Sequence, residues 1–75
     1  MIEIINKPWD YRFFKKNEKF YLYVMCGTVA VYEINIELNE DEFLQYENLG
    51  LDYIDSLAKT IQFSPTLYSK RSLSV

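Results

Sequence analysis

Residues 20–38 alternate with a period of two between side chains suited to a core and side chains suited to a surface, which is typical of β-strands. One strand of that length would far exceed the usual length of about five or six residues. A turn is therefore needed, and Gly27 is the only glycine in the segment. The even positions are predicted to face the core: Phe20, Leu22, Val24, Ala30, Tyr32, Ile34, Ile36 and Leu38.

Matching these faces across the turn selects a three-residue loop, Met25–Gly27. Leu22 then pairs with Ala30, and Gly27 takes the left-handed third position, where the missing Cβ removes a steric cost. In this interpretation Cys26 is an ordinary turn residue.

The preceding hairpin has a two-residue loop at Asn17–Glu18, because asparagine tolerates the left-handed conformation of such turns. This loop pairs Phe13 with Leu22 and Tyr11 with Val24. Trp9 joins the inner face, whereas Asp10, Arg12 and Phe14 are predicted to point outwards. Antiparallel strands are thus predicted at 9–16, 19–25 and 28–38, with residues 2–6 as a candidate fourth strand at the edge, before Pro8.

The sequence LNEDEF marks the start of a helix. Asn39 is a suitable N-cap, and Glu42 stands three residues later, as a capping box requires. Apolar positions keep one helical phase through Gly50, so a single helix over 40–62 is predicted to cover the inner face of the sheet. Gly50 is expected to allow close packing of Tyr32 or Trp9, or alternatively to border a small-ligand pocket.

The predicted fold class is therefore α+β, a three- or four-stranded antiparallel meander with one long C-terminal helix across one face (β-β-β-α). The chain of 75 residues is expected to form a single domain. In it, 1–8 is the candidate edge strand, 9–38 the meander, 39–63 the helix and 64–75 a tail with a short helical turn from Ser64-Pro65.

The net charge of −3 is unevenly distributed along the chain. No basic residue occurs between positions 37 and 55, where the acidic residues are Glu37, Glu40, Asp41, Glu42, Glu47, Asp52 and Asp55. This acidity disfavours nucleic acid as a partner and favours a basic one. One cysteine allows no internal disulfide, and neither a signal peptide nor a long apolar membrane segment is visible, so the expected location is the cytoplasm.

Catalytic chemistry is not predicted. The chain has no histidine, so Cys26 has no imidazole base within one subunit. The acidic run lacks the spacing of a calcium loop, and Asp55 is expected to pair with Lys59. Glu47 is expected at the edge of the core with Arg12, Arg71 or a tyrosine hydroxyl as its partner. No metal, cofactor or enzyme activity is predicted.

The outer sheet face carries the candidate site. The predicted register places Phe14, Tyr21 and Val31 in one row and Arg12, Tyr23 and Val29 in the next, on a face that no helix remains to cover. The alternative is that the tail folds over it. The expected function is a non-enzymatic interaction module, either a homodimer or bound to a larger protein.

Two other functions stay open. An acidic immunity-type or antitoxin-type inhibitor would use the helix against a basic toxin or nuclease. A single-stranded RNA-binding sheet would stack bases on the aromatic residues beside Lys15 and Lys16, although the negative net charge disfavours it.

Overall fold

A computed structural model describes residues 2–7, 10–26 and 32–73. Four antiparallel strands form one sheet in the order β1-β2-β3-β4, so the predicted α+β class and the edge strand before Pro8 are confirmed. The strands are β1 (Ile2–Lys7), β2 (Tyr11–Lys16), β3 (Lys19–Cys26) and β4 (Tyr32–Glu37). Two helices follow, α1 (Glu40–Leu49) and α2 (Leu51–Phe63), and then the 3-10 turns Pro65–Leu67 and Ser69–Arg71. Neither helix is long and apolar enough to span a membrane, as far as the described residues go.

The β2–β3 hairpin forms as the sequence predicts. Asn17 and Glu18 both have positive φ, 52° and 64°, as the two-residue turns that match the twist of paired strands require. The turn pairs Phe13 with Leu22 and Tyr11 with Val24.

The predicted register between the last two strands is wrong. Leu22 pairs with Ile36 and not with Ala30, because β3 continues through Cys26. The shift from 30 to 36 is an even number of residues, so the inner and outer faces keep the residues that the alternation assigned to them. Face matching alone accepts any even shift, and for this reason it could not locate the turn. Met25 and Cys26 of the predicted loop belong to β3, and its third residue, Gly27, lies outside the described residues.

The core lies between the inner sheet face and the helices. Its fully buried side chains come from β2, β3, β4 and α2: Phe13, Leu22, Val24, Ile36, Ile54, Ala58 and Ile61. Tyr46 of α1 packs its ring edge against Phe13, with centroids 5.1 Å apart. Asp10 also belongs to this side, because Gln62 Nε2 donates to its Oδ1 at 2.7 Å, whereas the sequence predicted an outward side chain.

The predicted single helix is broken at Gly50. Its φ of 75° and ψ of −154° are far from helical values, although its N–H still donates to Tyr46 O at 2.7 Å. A Cβ built on Gly50 would meet no described atom within 4 Å, so the predicted close packing of Tyr32 against this glycine is wrong. Trp9, the other predicted partner, lies outside the described residues. Glycine is suited to this position by its backbone conformation, because residues with a Cβ rarely adopt these φ and ψ values.

The start of α1 is the capping box that the sequence predicts. The Asn39 side chain accepts from Glu42 N–H at 2.9 Å, and Glu42 Oε1 accepts from Asn39 N–H at 2.9 Å. Glu42 also pairs with Arg71, through Nη2 at 2.7 Å. The buried carboxylate is thus that of Glu42, whereas Glu47 is exposed. The prediction placed Glu47 at the edge of the core because it extended one helical phase from α1 into α2, and the break at Gly50 ends that phase.

Candidate protein-interaction surface

The β2–β3 hairpin positions the candidate residues on the sheet face opposite the helices, which we call the outer face. Its register places Phe14 beside Tyr21 and Arg12 beside Tyr23. Both pairs were predicted from the sequence, because the turn at Asn17–Glu18 fixes the alternation of both strands.

Three rings form what we call the aromatic cluster: Phe14, Tyr21 and Tyr23. Phe14 stacks on Tyr21 with centroids 5.4 Å apart, and it meets Tyr23 edge to face at 4.8 Å. Only 5% of Phe14 is exposed, although no helix covers it. The two tyrosines stay half-buried and present their remaining surface to solvent. Edge-to-face and stacked pairs of this kind are favourable beyond the area they bury, so the cluster is a preformed surface.

Polar groups surround the aromatic cluster. The Arg12 Cζ lies 6.0 Å from the Phe14 ring centroid, and its Nε donates to Glu3 Oε1 at 3.3 Å. Lys19 Nζ lies 3.9 Å from Glu37 Oε1 on the far side of the cluster. An open groove of about 380 Å³ lies over the aromatic cluster and is lined by Arg12, Phe14, Lys16, Asn17, Tyr21 and Tyr23. Aromatic groups in the centre with charged groups at the rim are the usual composition of protein interfaces.

Each predicted row contained a valine from the last strand, Val31 in one row and Val29 in the other. Glu37 lies across from Tyr21, and Asn35 lies across from Tyr23, so the predicted rows with Val31 and Val29 are wrong. The reason is the shifted β3–β4 register. Val29 and Val31 themselves lie outside the described residues.

Lys15 also differs from the prediction that it flanks the rings. It pairs with Phe20 in the β2–β3 register, and its Nζ lies over the Phe20 ring on the inner side of the sheet. Lys16 alone of the two lines the groove.

The C-terminal tail meets β4 and not the aromatic cluster. Ser72 Oγ accepts from Asn35 N–H at 3.1 Å, and Leu73 N–H donates to Asn35 O at 2.6 Å. These bonds satisfy backbone groups at the free edge of the sheet. Asn35 is buried there, and its Oδ1 has no partner among the described residues. None of the tail residues from 64 to 73 lines the groove over the aromatic cluster.

A second polar cluster lies on the inner side of the sheet, between the strands β1 and β2 and the helix α2. Tyr11 O–H donates to Asp55 Oδ1 at 3.2 Å, and Asp55 also pairs with Lys59 at 3.0 Å, as the sequence predicted. Lys7 Nζ lies 3.7 Å from the same carboxylate. Hydrogen bonding from Lys59, together with Tyr11 and the charge of Lys7, lowers the pKa of Asp55, while burial raises the pKa of Tyr11.

The hollow beside this cluster has a volume of about 430 Å³ and is lined in part by Leu51, the neighbour of Gly50. A small-ligand pocket bordered by Gly50 was the alternative prediction from the sequence, but Gly50 does not line this hollow. The bond from Tyr11 to Asp55 was not predicted. Strand and helix periodicity gives no distance between residues so far apart in the chain.

Cys26 is a strand residue that faces the core, so its predicted place in the turn is wrong. It is only 4% exposed, and its thiol donates to Val24 O at 3.7 Å. Burial raises the pKa of this thiol, which keeps it protonated and unreactive at neutral pH. No group of three or more metal-ligating side chains occurs in the described part of the chain.

These features define a small α+β domain whose helices cover one sheet face and leave an aromatic cluster on the other. Comparisons with protein-family models, curated proteins and solved structures found no match to this chain.

Proposed function

We propose that this protein is a non-enzymatic interaction module that associates with a second copy of itself through the outer face. The observation that carries the proposal is the aromatic cluster, which packs on a sheet face without a helix and keeps two half-buried tyrosines at its surface. Tyrosine is enriched among the residues that dominate binding energy at interfaces. The absence of histidine and the burial of the one cysteine agree with a non-enzymatic role.

Charge favours a second copy as the occupant. The outer positions of the described strands carry as many basic as acidic side chains: Arg12, Lys16 and Lys19 against Glu3, Glu33 and Glu37. A two-fold interface brings the same surface against itself, so a balanced face is compatible with its own copy. The acidic excess of the chain lies instead on the helices, where a basic partner would bind.

The size of the face predicts modest affinity. Four strands about 4.8 Å apart, with about 3.3 Å per residue, give a face about 19 Å wide and 20 Å long. This is small compared with the roughly 800 Å² per partner of a typical stable interface. We therefore expect a dimer that dissociates on dilution.

Light scattering after gel filtration, over a wide range of concentration, tests the proposal. The wild type should approach twice 9.0 kDa at high concentration. Tyr21→Lys/Tyr23→Lys should stay at 9.0 kDa while keeping the wild-type circular dichroism spectrum. The matched control is Phe63→Lys/Leu67→Lys, which adds the same charge at exposed apolar positions beyond the sheet and should dimerise like the wild type.

Three outcomes contradict the proposal: a monomeric wild type, a tyrosine variant that still dimerises, and a control that fails equally. The same mass measurement with added single-stranded RNA tests the nucleic-acid alternative. A mass increase with RNA that the tyrosine variant loses would replace the proposal with nucleic-acid binding through Arg12 and Lys16. If Tyr21→Lys/Tyr23→Lys unfolds, Tyr21→Ser/Tyr23→Ser makes the same test without added charge.

The acidic side chains on the helices favour a second candidate, an inhibitor of a basic protein. Glu40, Asp41, Glu47 and Asp52 are exposed, and no ion pair links them to another described residue. Inhibition of basic ribonucleases by the wild type, lost in Glu40→Gln/Glu47→Gln and kept in Tyr21→Lys/Tyr23→Lys, would establish this function. Equal inhibition by wild type and Glu40→Gln/Glu47→Gln would reject it.

A further inference from the structure

The charges on the outer face also indicate how two copies would be oriented, an inference that rests on the proposed function. Two sheets that pack face to face by a two-fold operation have their axis in the plane between them. In the aligned class of sheet packing, the axis then runs close either to the strand direction or to the direction across the strands. The two orientations bring different residues into contact, because the outer face has four rows whose charges differ.

The rows follow from the strand pairing. Lys16 and Lys19 form the row at the turn end, and Phe14 and Tyr21 form the next. Arg12 with Tyr23 forms the third row. Met25 and Glu33 form the fourth row, at the opposite end.

An axis along the strands brings like charges together. It would place β2 over β3 of the second copy, so Lys16 would lie over Lys19. It would also place β1 over β4, so Glu3 would lie over Glu37. Like charges that face each other across an interface oppose association.

An axis across the strands brings favourable pairs together. Centred between the second and third rows, it places Tyr21 over Tyr23 of the second copy and Arg12 beside that copy's Tyr21. Arginine stacks well on aromatic faces, and the half-buried Tyr21, unlike Phe14, keeps surface for such a contact. The row of Lys16 and Lys19 then meets the row that contains Glu33.

We propose that the second copy binds with its two-fold axis across the strands, so that each Arg12 contacts the other copy's Tyr21 and each Lys19 approaches the other copy's Glu33. The strands of the two sheets then run antiparallel across the interface, within the aligned class of sheet packing.

Charge reversal at Lys19 distinguishes the two orientations by the sign of its effect. If the axis lies across the strands, Lys19→Glu lies over Met25 of the other copy, one strand from Glu33, and the dissociation constant rises about fivefold to tenfold at low salt. If the axis lies along the strands, the new carboxylate faces Lys16, and association strengthens. Lys70→Glu, which changes the net charge equally at an exposed position in the tail, is the matched control and should leave the dissociation constant unchanged.

Glu33→Lys supplies the complementary variant. Alone it should weaken association as Lys19→Glu does, and its control is Glu40→Lys on α1. Mixed in equal amounts, Lys19→Glu and Glu33→Lys should form a heterodimer close to wild-type affinity, because the reversed charges then face each other at one of the two contacts and the native pair remains at the other. Light scattering and sedimentation velocity measure both effects.

Stronger association of Lys19→Glu, or unchanged association of Glu33→Lys, would overturn the proposed orientation. Either result leaves the proposed function intact as long as Tyr21→Lys/Tyr23→Lys remains monomeric. A monomeric wild type would instead reject the proposed function itself.

Discussion

Arg71 donates to both carboxylate oxygens of Glu42, at 3.0 Å from Nη1 to Oε2 and at 2.7 Å from Nη2 to Oε1. Its Nη2 also donates to Glu37 O at 3.1 Å. One guanidinium thus joins the tail to the first turn of α1 and to the end of β4. Because Glu42 is only 9% exposed, this pair is largely shielded from solvent screening.

Glu42→Gln should lower the free energy of unfolding at pH 7 by about 1–2 kcal/mol, because it replaces charge-assisted hydrogen bonds with neutral ones. Burial raises the pKa of Glu42, but the hydrogen bonds from Arg71 and from Asn39 N–H outweigh it, so the pKa lies below its ordinary value of 4.5. A carboxylate whose pKa is lower in the folded protein stabilises the fold at a pH above its pKa in the unfolded chain. This contribution to stability is lost as the pH falls through the pKa of the folded protein.

Urea denaturation at several pH values checks this prediction. The difference between wild type and Glu42→Gln should shrink as the pH falls below 4.5. The exposed Glu47 provides the control, since Glu47→Gln should change stability little at any pH. A difference that is constant with pH would show that the ionised form of Glu42 is not what stabilises the tail.

Glu18→Gly should stabilise the protein by about 0.5–1 kcal/mol. Glu18 has a φ of 64°, where the Cβ of an L-residue is penalised, and glycine is the preferred second residue of such hairpin turns. Denaturant titration measures the change. Glu47→Gly, in the middle of α1, should instead destabilise by about 1 kcal/mol, and a loss of stability in Glu18→Gly would contradict the turn geometry.

Short-range patterns predicted the parts of this fold that short-range physics determines. The Asn17–Glu18 turn, the capping box at Asn39 and the inner and outer strand faces all depend on residues a few positions apart. The β3–β4 register does not depend on such neighbours alone, since alternation accepts any even shift of one strand against the other. The break at Gly50 was also not predictable in this way, since the apolar spacing continues through it. The placement of Arg12, Phe14, Tyr21 and Tyr23 on one sheet face was therefore predicted correctly, whereas the rows that required β4 were not.

Cys26→Ser should cost about 1–2 kcal/mol, contrary to the small effect expected of a turn residue. The side chain is only 4% exposed and faces the core opposite Tyr32, so serine would bury a more polar group with a weaker set of partners. Cys26→Ala, which buries no polar atom, separates the loss of packing from the cost of the hydroxyl. Thermal unfolding compares the three proteins, and equal stability of wild type and Cys26→Ser would place the thiol at the surface.

Gly50 provides the sharpest test of the helical layer, because a break and a continuous helix predict opposite signs. In a continuous helix Gly50→Ala would stabilise by about 1 kcal/mol, since alanine is the better helix former. At the observed φ of 75° and ψ of −154°, it should instead destabilise by about 1–3 kcal/mol. Among the described residues the added Cβ meets nothing within 4 Å, so the cost comes from the backbone conformation.

A D-alanine at position 50, introduced by chemical synthesis, completes this test. A D-residue favours the mirror image of the conformations that L-residues adopt, so its Cβ should be accepted at this φ and ψ. Its reduced freedom in the unfolded chain should make the protein at least as stable as wild type. Denaturation of the glycine, L-alanine and D-alanine proteins gives the order, and a more stable L-alanine protein would mean that α1 and α2 form one helix.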